Sequence, residues 1–198
     1  MSPALPRVLL ARHGQTAWSL SGQHTGATDL PLTATGQAEA RCLASRLQPQ
    51  RFVRVLCSPL QRAWQTCELA GFGTRAEADA RLVEWHYGDY EGLTSAQILA
   101  QQPDWQLFRD GCPGGESVAQ VAARADSLVE TLRGANGDVL LFSSGHFLRM
   151  LAVRWLGLPP SAGALLSIDT ASLGALGYEH RLQQPVIHLW NDTAHVDA

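Results

Sequence analysis

Apolar residues in this chain gather into short blocks between polar, glycine-rich stretches, and their period changes from block to block. Val8-Leu9-Leu10-Ala11 and Val139-Leu140-Leu141-Phe142 are unbroken apolar runs too short for helices, and they predict strands buried on both faces. Phe52 to Cys57 predicts a third. Ala40, Leu43, Ala44 and Leu47 recur at helical spacing and predict a helix from about Thr33. Leu60, Ala63, Trp64 and Cys67 do the same for a helix opened by the Ser58 hydroxyl, with Pro59 in its first turn. Thr94 and Gln97 fit a capping box ahead of a short helix. A long stripe of Val118, Val121, Ala122, Ala125, Leu128, Val129 and Leu132 predicts a helix from Ser117 to near Gly134. Another follows the second apolar run and stops at Gly157.

Leu165 to Ile168, Ala171 to Tyr178 and Pro185 to Trp190 predict strands, the last two joined by a turn near His180 to Gln184. Three stretches predict irregular backbone: Ala17 to Leu32, residues 74–92 and Pro103 to Gly115. Asn191 to Ala198 predicts a loose tail. Strands that alternate with helices imply an α/β fold with a mainly parallel sheet. No repeat or linker divides the chain, so one domain is expected over residues 1–198.

The formal net charge of −3 argues against a nucleic-acid or acidic-membrane partner. Any anion site must therefore come from a local cluster of arginines, since the chain contains no lysine. No apolar window is long enough for a membrane-spanning helix. Met1 to Pro6 lacks a basic segment leading into an apolar run, and Cys42, Cys57, Cys67 and Cys112 show no C-x-x-C spacing. The expected setting is a reducing cytoplasm, with the oligomeric state left open.

Two predicted strands run into histidines: Arg12-His13-Gly14 after the first, Ser143-Ser144-Gly145-His146 after the other. Parallel neighbours point their carboxyl ends the same way, so both histidines are expected at one rim. Metal-ligand spacing, a phosphate loop and a serine elbow are all missing from the sequence. What remains is two histidines, Arg12, Arg62 and an acid. An imidazole can attack a phosphoryl group directly, and arginine forks with a protonated histidine can hold the spread charge. Arg62 falls off its helix's apolar stripe, in the first turn, where it meets either solvent or an anion. Glu84, between Val83 and Trp85 and near Tyr87, fits a proton donor raised by an aromatic setting better than Glu39 or Glu130.

These residues fall in blocks that resemble the histidine phosphatase superfamily, the phosphoglycerate-mutase-like group. The blocks are Leu10 to Thr16, Gly22 to Gly26, Asp29 to Thr33, Cys57 to Ala63, Glu84 and Ser144-Gly145-His146. The resemblance implies a three-layer αβα sandwich and no metal or other cofactor. It makes His13 the phosphorylated nucleophile, puts Arg12, Arg62 and His146 in the phosphate pocket, and makes Glu84 the acid and later the base. Ser21 to Gly26, Glu84 to Gly92 and Arg109 to Cys112 are similar to its sedoheptulose-1,7-bisphosphatase branch, implying a small sugar phosphate or bisphosphate as substrate. The expected substrate-binding set is Ser19, Gln23, His24, Thr25, Tyr87, Gly145 and Arg149. Ser19 departs from the asparagine of many members. Arg149, just past the first turn after His146, is expected either to reach a distal phosphate or to lie in a surface ion pair. A cofactor-dependent phosphoglycerate mutase shares such a site, but the chain lacks the longer insertions that close mutase sites. An inactive phospho-ligand module would be expected to lack His13, Arg12 or His146, and all three are present.

Overall fold

The computed structural model describes residues 5–196. Its strands are β1 (Val8–Arg12), β2 (Arg54–Cys57), β3 (Ala76–Ala78), β4 (Val139–Ser143), β5 (Leu173–Tyr178) and β6 (Pro185–Asp192). They form one six-stranded sheet in the order β3-β2-β4-β1-β5-β6. β3, β2, β4 and β1 run parallel, and β5 and β6 close the sheet antiparallel beyond β1. The helices are α1 (Ala17–Ser21), α2 (Ala34–Leu47), α3 (Gln61–Leu69), α4 (Ser95–Gln101), α5 (Leu107–Asp110), α6 (Val118–Arg133) and α7 (Gly145–Trp155).

Alternation along the strands divides the core into two halves. Leu9, Ala11, Val55, Cys57, Leu140 and Phe142 pack with Leu43 and Leu47 of α2 and Ala63 and Cys67 of α3. Val8, Leu10, Leu56, Val139 and Leu141 face the other way, onto α6 and α7. Helices thus cover both faces, which is why the central strands read as continuous apolar runs. The expected αβα sandwich with a mainly parallel sheet is what the chain forms.

The differences from expectation are local. Residues 17–21 form a helical turn whose cap is a reciprocal pair: Thr16 Oγ1 accepts from the Ser19 amide and Ser19 Oγ from the Thr16 amide. The helix expected from Ser58 begins at Gln61, capped at Leu60 with no side-chain bond. The proline step stays outside the helix, and the Ser58 hydroxyl only brushes the Leu60 amide at 3.4 Å. Residues 74–92 include β3, and the Pro103 to Gly115 stretch includes α5. Leu165 to Ile168 is no strand: a 3₁₀ turn over Pro160–Leu165 leads into it, and Leu165 is exposed. The tail expected from Asn191 holds the last residues of β6, and His195 beyond them is buried, bonding the Ala171 carbonyl at 2.8 Å. Asp197 and Ala198, the end of that expected tail, lie outside the described residues.

One contact fixes the turn after His13 against α2. A Cβ on Gly36 would stand 2.1 Å from the Gln15 carbonyl oxygen, and one on Gly14 would stand 2.3 Å from the Gly36 carbonyl oxygen. Backbone meets backbone here, with no flexible side chain to yield. Gly36→Ala should therefore cost about 1–3 kcal/mol, roughly 2–12 °C of Tm in a thermal melt. An unchanged melt would show that the Gly14 turn is not held by this approach.

Candidate active site

β1 and β4 pair with Arg12 opposite Ser143, and the His13 amide donates to the Ser143 carbonyl at 3.0 Å. Both strand ends open into a cavity of about 190 Å³, lined by Arg12, His13, Ser19, Gln23, His24, Thr25, Glu84, Tyr87, Gly145, His146 and Arg149, along with Gly22, Ser95 and Ile168. Of the expected site residues, only Arg62 is not on this wall.

His13 is buried, and its Nδ1 lies 2.8 Å from the Gly14 carbonyl. A carbonyl can only accept, so Nδ1 carries the proton and Nε2 keeps its lone pair. Burial, reinforced by Arg12 and Arg62, holds the ring well below the ordinary histidine pKa. The turn itself is pinned by Thr66, whose Oγ1 accepts from the Gly14 amide at 3.0 Å and donates to the Arg62 carbonyl at 2.7 Å.

Arg62 is fully buried rather than solvated. Its terminal nitrogens donate to the carbonyls of Thr25, Gly26 and Thr28 at 2.9–3.0 Å, and Nε has no partner. The same loop gives its Gly26 and Thr28 amides to the Glu91 carboxylate. Arg12 donates to the Ile168 carbonyl at 2.6 Å, and its Nε is likewise buried and unpartnered. It lies across Gly145, where a Cβ would come within 3.2 Å of that Nε. Burial pulls both guanidinium pKa values down, against the opposing pull of Glu84.

Glu84 meets a different environment from the aromatic one expected. Its Oε1 accepts from the amides of Trp85 (3.0 Å) and Phe147 (2.8 Å), and its Oε2 from the His146 amide (3.0 Å). The carboxylate thus caps the amino end of α7, where unpaired N–H groups and the helix dipole favour an anion. The Trp85 ring packs instead on Phe108 and donates to the Glu116 carbonyl.

His146 is held among His24, Tyr87 and Phe108, stacked on the His24 ring at 5.9 Å. The Tyr87 hydroxyl lies 2.6 Å from its Nδ1. Burial first, then Arg149, His24 and Arg12, keep it well below the ordinary pKa. His24 directs Nδ1–H at the Leu93 carbonyl, which leaves its Nε2 free. Arg149 forms no surface ion pair among the described residues: its Nε donates to the Gly163 carbonyl, and the guanidinium lies over Phe108. Ser19 already gives its hydroxyl proton to the Thr16 carbonyl. Gln23 is tied to Gly92 and Ser21, and Thr25 donates weakly to the Gln23 carbonyl at 3.3 Å. Ser95 and Ile168 complete the wall without any sequence signal, because neither carries a motif or a charge.

Arg12, Arg62 and Arg149 make no ion pair with any described carboxylate, while Arg7, Arg46, Arg54, Arg81, Arg109, Arg124 and Arg154 all do. Uncompensated buried cations are costly, and a bound anion relieves them. The fold and site together define a phosphate-handling α/β protein with a histidine at its centre.

Comparison with known proteins makes the class specific. The profile of the histidine phosphatase superfamily (branch 1) matches residues 8–193. An acid phosphatase of Mycobacterium tuberculosis is 46% identical over 90% of this chain and 89% of its own. The sedoheptulose 1,7-bisphosphatase of Saccharomyces cerevisiae is 34% identical over 80% of this chain and 70% of its own. A solved open-reading-frame product of Mycobacterium tuberculosis superposes with a TM-score of 0.89 at 43% identity, covering 94% of this chain and 97% of its own. The chain belongs to the histidine phosphatase superfamily, and relatives named as phosphatases make it a phosphatase. Among the described residues no helix is long and apolar enough to cross a membrane.

The lowered His13 pKa has a consequence for stability. The unfolded chain takes up this proton at about pH 6.5, before the folded chain can. The contribution of the neutral ring is therefore whole above about pH 6.5 and is lost as pH falls below it, at up to about 1.4 kcal/mol per pH unit. Denaturant melts from pH 7 to pH 5 should show this slope added to that of His146, which burial lowers in the same way, and His13→Asn should remove the His13 share. An identical pH dependence in the variant would contradict the assignment.

Proposed function

We propose that this protein hydrolyses small phosphorylated metabolites, sugar phosphates or bisphosphates, through a phosphohistidine on His13. The observation that carries the reading is a neutral His13, its Nε2 lone pair free, in a cavity flanked by arginines without carboxylate partners. His13 Nε2 attacks phosphorus while the ester P–O bond breaks. Glu84 gives the departing alkoxide a proton, and the alcohol leaves. Water then attacks the phosphohistidine, its proton passes to Glu84, the N–P bond breaks and phosphate departs. Arg12 and Arg62 offer their free Nε–H groups to the phosphoryl oxygens, with His146 as a further donor. Nδ1–H stays on the Gly14 carbonyl throughout and holds the ring in aim.

Brief incubation with a phosphorus-labelled ester, quenched in base, should leave acid-labile label on the wild type and none on His13→Ala. Label on the variant would refute the nucleophile.

The rest of the substrate lies, on this reading, against His24, Thr25 and Tyr87, with Arg149 at the far end. Arg149 has terminal nitrogens left over once its Nε is bonded, which suits a second phosphate. A bisphosphorylated ketose such as sedoheptulose 1,7-bisphosphate is the leading candidate, supported by the similarity to the yeast bisphosphatase. Arg149→Ala should raise KM for bisphosphates roughly tenfold or more and leave monophosphate turnover nearly unchanged. Equal effects on both would make the enzyme a broad phosphomonoesterase, as the name of the mycobacterial relative suggests.

A further inference from the structure

The amino end of α7 has two caps available and uses one. Ser144 stands at the N-cap position with extended backbone (φ −118°, ψ 165°), from which a serine hydroxyl reaches the amides two and three residues on. Here it caps nothing. The residue is 1% exposed, and its Oγ has no hydrogen-bond partner. The amides it would serve, those of His146 and Phe147, are taken by the Glu84 carboxylate. A hydroxyl buried idle beside occupied amides is destabilising unless something uses it.

We propose that Ser144 is a reserve cap for α7, taking the His146 and Phe147 amides when Glu84 releases them to carry a proton. Its catalytic consequence rests on Glu84 acting as acid and base in the function proposed above; its structural consequence does not. A carboxyl that has gained a proton is a weaker acceptor, and one oxygen must face the leaving group. Rotation about the Cα–Cβ bond of Ser144 then brings Oγ to the freed amides without moving the backbone. The helix stays capped, and His146 keeps its place against Tyr87. Ser144 touches no reacting atom in this scheme. It is a positioning residue.

A double-mutant cycle on the whole chain tests it. In the wild-type background Ser144→Ala removes a buried hydroxyl that bonds to nothing described, so Tm should hold or rise. In the Glu84→Ala background the hydroxyl is in use, and its removal should lower Tm by about 2–4 °C more. Equal shifts in both backgrounds would overturn the proposal. If Glu84→Ala does not fold, Glu84→Gln keeps one acceptor oxygen and should show a smaller interaction of the same sign. In turnover, Ser144→Ala should slow an alkyl phosphate about three- to tenfold more than p-nitrophenyl phosphate, whose leaving group needs no proton. Ser144→Thr should restore the alkyl rate. A selective loss of vanadate affinity would make Ser144 a phosphoryl ligand instead, against the proposal. A wild type that traps no phosphohistidine would sink the proposed function while leaving the Tm cycle readable.

Discussion

Burying Arg62 is the constraint on which the rest of the site depends. A guanidinium taken wholly out of water must have its donors satisfied, and no described carboxylate pairs with it. Three carbonyls from residues 25–28 do this, so the loop must curl around the guanidinium. That curl turns the loop's amides outward to Glu91. In the other direction, the Arg62 carbonyl takes the Thr66 hydroxyl, whose oxygen holds the Gly14 amide. One buried cation thereby links the loop of residues 25–28, helix α3 and the turn after His13. The Nε left over is a donor that no described protein group claims.

The same logic separates what can be read in the sequence from what cannot. Val8 to Ala11 and Val139 to Phe142 are legible because a strand covered on both faces has to be apolar throughout. The stripes of α2, α3 and α6 are legible because each faces a single core half. His13 and Arg12 follow, since a parallel strand delivers its last residues to the sheet's rim. Arg62 is only half legible. Its position off the apolar stripe points to solvent as readily as to an anion, and nothing local reveals that the loop of residues 25–28 folds over it. Leu165 to Ile168 misleads because a short apolar run carries no period, and 3₁₀ geometry with one exposed leucine accommodates it equally well. His195 is invisible because its burial depends on the Ala171 carbonyl, a contact no tail pattern records.

Glu84 shows why neighbours in sequence are a poor guide to environment. Trp85 and Tyr87 follow it closely in the chain, yet the Trp85 ring turns to Phe108 while Tyr87 turns to His146. The carboxylate meets the start of α7, where the His146 amide that it accepts from lies 62 residues further along the chain. A carboxyl that gains a proton becomes a weaker acceptor, so the amides that hold it gain from a second partner. On the function proposed above, proton transfer at Glu84 and capping of α7 are coupled at this corner of the cavity.

That coupling also bears on how one superfamily serves relatives with different names. On that reading the phosphoryl end is built from the ends of β1 and β4 and the first turns of α3 and α7, so its geometry follows from the fold. His24, Tyr87 and Arg149, by contrast, come from a loop, an irregular segment and the second turn of α7, and none is fixed by the sheet. Arg149 is held by a single carbonyl and by the face of Phe108, on α5, a helix of only four residues. Changes in α5 or in the 3₁₀ turn bearing Gly163 would re-aim Arg149 without disturbing His13. On the function proposed above, Arg149 is the part of the site most open to change, and His13, whose turn is pinned by Thr66 and Gly36, the least.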